Sequence, residues 1–258
     1  MARPVALITG ASRGIGKQLA LDLASAGYDL VLTARSTDDS PSAMPGTIDE
    51  TAAQCRERGA EVLSVAANVR REEEVNAAVD QAYARFGRVD VLVNNAGVAP
   101  FGSALEMPVR VFNVVMDVNV NGPWYFMRAV APRMRDAGAG RIVNISSSAA
   151  IRGSKDRVSY GASKRALESV SEALAEELAG TGVAVNSLRV ESAVWSEGFA
   201  FNLPGEDISH FEDPVIVTDA LLWLLAQPAD YTGQTVSMRA LREQGVVRPL
   251  TRIGDREG

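Results

Sequence analysis

The chain reads as an α/β protein, a doubly wound parallel sheet with helices on both faces, and three observations predict it. Short apolar runs alternate with helix-length amphipathic segments from one end to the other, the order that a parallel sheet with crossover helices requires. The first apolar run, Val5-Ala6-Leu7-Ile8-Thr9, is unbroken, as expected of a strand covered on both sides. Directly behind it stands Gly10-Ala11-Ser12-Arg13-Gly14-Ile15-Gly16, a glycine-rich turn that lets the chain pass sharply from strand to helix.

The elements follow in order. After the strand Val5 to Thr9, a helical pattern runs from Gly14 to Ala26 and stops at Gly27, a good C-terminal signal. Tyr28 to Ala34 is the second predicted strand. Ser36 to Gly46 is a Ser/Asp/Pro-rich loop, longer than most such connections and expected to be mobile. Thr47 to Arg58 is predicted helical, Glu61 to Ala66 a third strand, Arg71 to Phe86 a helix and Val89 to Val93 a fourth strand. A long helix is predicted from Val109 to Ala137, a fifth strand from Arg141 to Ile145 and another helix from Ser159 to Ala179. Val183 to Leu188 is the sixth strand. A last helix, Asp213 to Ala226, precedes a short strand near Thr235 to Met238. The sequence shows no repeat, low-complexity tract or linker, so residues 1–258 are read as one domain.

Composition narrows the classes of function. Hydrophobic residues make up 47% of the chain, enough for a sizeable core. The net charge is −6, and without a long basic run there is no case for a nucleic-acid or anionic-membrane partner. The single cysteine, Cys55, allows no intrachain disulfide and points to a reducing compartment; in its charged helical surroundings it reads as a bystander. The N-terminus lacks a signal pattern, and no apolar run approaches the ~18 residues needed to span a bilayer. A cytoplasmic location is expected. No Cys/His cluster marks a metal site.

The glycine turn fits a nucleotide phosphate, because close backbone approach and a helix N-terminus together favour an anion. Gly10, Ser12, Arg13, Gly14, Ile15 and Gly16 are the expected contacts. Their GxxxGxG spacing differs from the commoner GxGxxG but keeps its logic, that of a Rossmann fold. The end of the second strand bears on which nucleotide. An NAD site usually offers an acid there for the ribose 2′-hydroxyl. Here Arg35 stands nineteen residues after Gly16. A guanidinium fork suits a 2′-phosphate, with Arg13 as a second clamp, so NADP is favoured over NAD. Asp38 and Asp39 are the counter-argument; lying beyond the strand, they are read as solvated loop charges.

A second constellation lies downstream. Tyr160 and Lys164 are four residues apart in a predicted helix, hence on one face, one turn apart. A free phenol ionises near pH ~10, and a neighbouring ammonium favours the phenolate. Ser147 lies thirteen residues before Tyr160, after the fifth strand, where its hydroxyl could hold a substrate oxygen. Ser146 and Ser148 are rivals for that place. The set is suited to proton transfer at an alcohol or carbonyl.

With the glycine loop, Ser147, Tyr160 and Lys164 in this order, the chain resembles the short-chain dehydrogenase/reductase family. Asn94-Asn95-Ala96-Gly97 is similar to the family's NNAG segment, and Asn119 matches its asparagine on the long helix. The resemblance spans about Val5 to Met238. It implies Tyr160 as acid/base, Lys164 lowering its pKa and bonding the nicotinamide ribose, Ser147 orienting the substrate oxygen, and Asn119 helping to hold a water in a proton relay. Asn95, Ala96 and Gly97 should border the cofactor. The resemblance also implies a homodimer or homotetramer, formed through the two long helices.

Three departures from the family pattern stand out. Asn68-Val69 replaces an acid that commonly meets the adenine, and Asn68 can still hydrogen-bond there. Val190-Glu191 replaces a Pro-Gly pair beside the nicotinamide position, so that Glu191 either favours the cationic oxidised ring or points to solvent. The last strand continues as Ser237-Met238-Arg239-Ala240-Leu241 without the usual Asp-Gly-Gly.

The segment at about 191–213 is the expected substrate lid. It carries Trp195, Phe199, Phe201, Leu203, Ile208 and Phe211 with little positive charge, which favours an apolar alcohol, ketone or aldehyde as substrate. His210 is expected on its surface. The leading expectation is an NADP-dependent alcohol dehydrogenase or carbonyl reductase. One alternative is a catalytically silent NADP-binding sensor or scaffold, supported by Val190 and Glu191. Another is a lyase such as a halohydrin dehalogenase, against which Lys164 and the intact glycines speak.

Overall fold

The computed structural model describes residues 2–202, 205, 207–249 and 252. Its strands are β1 (Val5–Thr9), β2 (Asp29–Ala34), β3 (Val62–Ala66), β4 (Val91–Asn94), β5 (Gly140–Ser147), β6 (Val183–Val190) and β7 (Thr235–Ser237). They form one parallel seven-stranded sheet in the order β3-β2-β1-β4-β5-β6-β7. The chain starts in the middle, runs outward to β3, returns to lay β4 beside β1, and runs outward again to β7. The reversal between β1 and β4 opens a crevice at the carboxyl ends of those strands, where open α/β sheets take their ligands.

The helices are α1 (Gly14–Ser25), α2 (Ile48–Glu57), α3 (Glu72–Phe86), α4 (Val109–Met116), α5 (Gly122–Ala137), α6 (Val158–Glu177), α7 (Glu197–Asn202), α8 (Val215–Leu225) and α9 (Met238–Glu243). Strand side chains alternate between the two faces of the sheet, and the core divides accordingly. Ala6 and Ile8 face α1, α2 and α8 through Leu19, Leu23, Ala52 and Leu221. Val5 and Leu7 face α3, α5 and α6 through Val79, Phe126, Val130 and Ala175. Cys55 is fully buried in the first of these layers, and burial pushes its thiol up to about 11. Among the described residues no helix is long and apolar enough to cross a membrane.

Most predicted elements recur within a residue or two of their expected ends. The predicted helix Val109–Ala137 instead carries a π turn at Asp117–Asn121, which separates α4 from α5. β5 runs on through Ser147 and β6 through Val190, because the two pair in register along their whole length, Gly140 with Val183 to Ser147 with Val190. The loop 36–46, expected to move, is tied down by Arg13. Its guanidinium donates to Ser36 Oγ, Ser42 Oγ and the carbonyls of Met44, Pro45 and Gly46. The short helices α7 and α9 were not anticipated in the sequence pattern. Leu203 lies outside the described residues.

Candidate active site

The glycine turn between β1 and α1 is fixed by contacts closer than any side chain allows. Gly10 has φ +67, and a Cβ there would lie 2.8 Å from the Cα of Ala96. At Gly16 a Cβ would lie 2.3 Å from the Gly10 carbonyl oxygen and 2.4 Å from Asn95 Nδ2. Asn95 binds the turn to the end of β4: its Nδ2 donates to the carbonyls of Thr9 (3.0 Å) and Gly10 (3.2 Å). The Thr9 hydroxyl accepts in return from the amides of Asn95 and Ala96. Of the sequence-predicted set, Gly10, Gly16, Asn95 and Ala96 thus lie together, Gly14 opens α1 beside them, and Gly97 lies next to Asn119 and Lys164, while Ile15 packs against the core.

An anion already touches the turn from within the chain. The Gly14 amide, at the N-terminus of α1, donates to Glu197 Oε2 at 2.7 Å, and a Cβ on Gly14 would sit 2.8 Å from Ser196 Cβ. The segment at 191–213 therefore reaches across the glycine turn. Its two limbs are joined where Trp195 N donates to Glu212 O (2.9 Å) and Glu212 N to Ala193 O (2.7 Å). Arg242 of α9 holds Glu212 by an ion pair of 3.0 Å. Phe199 and Phe211 meet edge to face, while Phe201 and His210 are exposed.

Arg35 lies exposed at the end of β2. Arg13, expected beside it as a second phosphate clamp, directs its donors to the loop 36–46 instead. Burial holds Arg13 below the usual arginine range, opposed by the charge of Glu197 and assisted by that of Arg35. Asp38, expected to be solvated, accepts from the Thr47 hydroxyl in front of α2. Asn68 Oδ1 accepts from the Arg70 amide at 3.2 Å, and Val69 packs against Gly122 at the start of α5.

Across the crevice, Tyr160 and Lys164 occupy one face of α6, with Ser147 opposite at the end of β5. Of the three serines, it is the Ser147 hydroxyl that acts on the Tyr160 phenol, pulling its pKa down. Ser146 Oγ donates to Glu168 at 2.6 Å instead. Lys164 is buried and donates from Nζ to Ile145 O at 2.7 Å. Burial drives its ammonium down to about 8, against the opposing charge of Glu168. The phenol itself stands above its ordinary value: burial raises it, while Ser147 and the Arg157 guanidinium pull it down. Desolvation at the phenol thus outweighs the groups that pull it down.

Asn119 is fully buried in the π turn. Its amide clamps Val98, accepting from Val98 N and donating to Val98 O at 2.9 Å each, and donates to Ser163 Oγ at 3.0 Å. Glu191 takes neither of its two expected positions. Its carboxylate accepts from Ser237 Oγ and from the Arg239 amide, so it caps α9, and its side chain is only 8% exposed.

Two residues beside this cluster went unnoticed in the sequence. Glu168 lies one turn beyond Lys164, 2% exposed, and pairs with both Nε and Nη2 of Arg189. Arg157 stands one turn before Tyr160. Both sit at helical spacing on the Tyr160–Lys164 stripe, which is the signal that could have revealed them.

The crevice thus brings the glycine turn and the Ser147-Tyr160-Lys164 cluster to one end of the sheet. A family model for short chain dehydrogenases matches residues 4–191, and the chain belongs to that family. It is 34% identical to a 3-oxoacyl-[acyl-carrier-protein] reductase of Synechocystis sp. over 242 residues, 91% of this chain and 94% of the relative. A metagenomic short-chain oxidoreductase solved in complex with NADP is 32% identical, with a TM-score of 0.75 over 91% of this chain and 95% of that one. An NAD+-bound xylitol dehydrogenase is 26% identical, with a TM-score of 0.81 over 91% and 96%.

Proposed function

We propose that the chain is an NADP(H)-dependent oxidoreductase acting on an apolar alcohol, ketone or aldehyde. The observation that carries this reading is the placing of the buried Lys164 ammonium, held by Ile145 O, between the Tyr160 ring (5.7 Å) and Gly97 behind the glycine turn. Tyr160 is the acid/base. With its phenol held protonated at neutral pH, it is ready to give a proton to a carbonyl oxygen as that oxygen gains charge. Ser147 holds the same oxygen. Lys164, kept in place by Ile145 O, supplies positive charge and reaches the ribose, and Asn119 fixes the Val98 backbone and helps hold the relay water.

The cofactor supplies the hydride. Gly10, Ser12, Gly14, Ile15 and Gly16 would hold its diphosphate, Asn95, Ala96 and Gly97 its nicotinamide side, and Asn68 and Val69 its adenine. Arg35 favours a 2′-phosphate, hence NADP; the solved neighbours carry NADP in one case and NAD in another, so the choice rests on this residue. The segment 191–213 is the substrate lid of a single domain, and Trp195, Phe199 and Phe211 suit an apolar substrate. A groove of Val120, Trp124, Val170 and Leu174 between α5 and α6, with Trp124 40% exposed, supports a homodimer or homotetramer. The expected setting is the cytoplasm. Of the two departures behind the silent-sensor alternative, Glu191 is bonded to Ser237 and Arg239, which speaks for the enzyme reading.

Fluorescence titration with NADPH and NADH tests this reading, followed by a screen of apolar ketones and aldehydes. Tight NADPH binding, weaker NADH binding and reduction of at least one ketone are expected. Binding of neither nucleotide would overturn it.

A further inference from the structure

Arg157 is held in place by more contacts than a surface arginine needs. The backbone turns at Asp156, the one non-glycine residue with positive φ (60°) among those described. Aspartate tolerates that conformation, and it delivers Arg157 to the N-cap position of α6. There Gly102 N donates to Asp156 O at 3.1 Å, and Gly102 pairs with Arg157 in an isolated bridge. Arg157 Nη1 donates to Ala99 O at 2.9 Å. The guanidinium lies 3.7 Å over the Phe101 ring and 5.5 Å from the centre of the Tyr160 ring. It is thus clamped between two aromatic rings, a favourable place for a weakly hydrated planar cation.

From this geometry we propose that Arg157 serves Tyr160 as a second cation, fixed between Phe101 and the tyrosine so that positive charge stays at the phenol at every working pH. The inference rests on the assignment of Tyr160 as acid/base. Lys164 alone does not meet that need. Its Nζ is bonded to Ile145 O, lies 5.7 Å from the ring centre, and loses its proton at about 8. A guanidinium does not titrate there. Among the described residues, α6 presents Lys164 to the phenol, with Glu168 behind it, and β5 presents Ser147, while Phe101 of the loop after β4 stacks on Arg157. Glu191, at the end of β6, is turned to Ser237 and Arg239. Arg157 therefore acts as a positioning residue, biasing the proton on Tyr160 without touching the hydride.

The test is a spectroscopic titration of tyrosinate on the full chain, with Y160F as the blank so that only the Tyr160 signal remains. Arg157→Gln is expected to raise the midpoint by about one pH unit. Arg157→Met keeps the apolar stacking on Phe101 and gives the same upward shift, so a folding defect in one neutral variant does not silence the experiment. An unmoved midpoint in the neutral variants overturns the proposal, as does a shift in Arg157→Gln that Arg157→Met does not share, which would make packing rather than charge the cause. Turnover of Y160F is measured alongside. Retained turnover there breaks the acid/base assignment instead, so the two failures are told apart.

Discussion

The glycine turn and the segment that crosses it meet at Gly14, yet they are built in opposite ways. The turn is defined by backbone proximity: Gly10 against Ala96 and Gly16 against the Gly10 carbonyl leave no room for a single extra carbon. The crossing segment is attached by separate side-chain and backbone bonds, Glu197 to Gly14, Glu212 to Arg242, and Glu212 to Ala193 and Trp195. Such bonds are removable one at a time. The lesson is that binding of the nucleotide is written into the frame of the sheet, whereas what covers it is adjustable. The Tyr160–Lys164 cluster belongs with the frame, since Lys164, Glu168 and Asn119 are all buried behind it.

Changes to the frame should do the most damage. Gly16→Ala forces a Cβ against Gly10 O and Asn95, and NADPH affinity in a fluorescence titration is expected to fall by roughly a hundred-fold, with the circular dichroism of the fold retained. Unchanged affinity would show that the cradle yields. Arg35→Asp removes one charge-assisted contact and adds a repulsive one, so NADPH binding should weaken roughly ten- to fifty-fold relative to NADH. An unaltered ratio removes Arg35 from the phosphate site.

Behind the cluster, Glu168→Gln withdraws the carboxylate that holds the Lys164 ammonium up. The lysine then loses its proton below its present value of about 8. The fall in activity on the alkaline side should accordingly move to lower pH in kcat/KM profiles. A profile that stays in place contradicts the coupling of the two residues. The smallest effect belongs to the cover. Glu197→Gln removes a carboxylate that shares the Gly14 amide with any bound diphosphate, and NADPH should bind about two- to five-fold more tightly. Weaker binding in that variant would mean that Glu197 supports the site rather than competing for it.

The division between frame and cover also marks what the sequence made legible. Gly10 to Gly16, Asn95 and the Tyr160–Lys164 pair signal through short spacing, and the unbroken apolar strands gave the sheet directly. Contacts between distant parts of the chain gave no such signal. Glu197 reaches Gly14 across 183 positions, and Glu191 finds its partner Ser237 46 positions away, so a carboxylate read as either favouring the oxidised nicotinamide or pointing to solvent turns out to cap α9. Arg13 was read from its neighbourhood to Arg35, but its guanidinium follows the loop 36–46. The π turn at Asp117–Asn121 was invisible because a local widening hardly disturbs a 3.6-residue apolar rhythm. Arg157 and Glu168 lay in plain spacing beside Tyr160 and Lys164, and only the positions of Phe101 and Arg189 give them meaning.

The central claim is that Tyr160 moves the proton while the frame holds the nucleotide. Its most direct test is Tyr160→Phe, with NADPH binding and reduction of a carbonyl substrate measured on the same preparation. NADPH should bind within about two-fold of wild type while turnover drops by about a thousand-fold or more. Turnover near the wild-type rate in a variant that still binds NADPH would contradict the account.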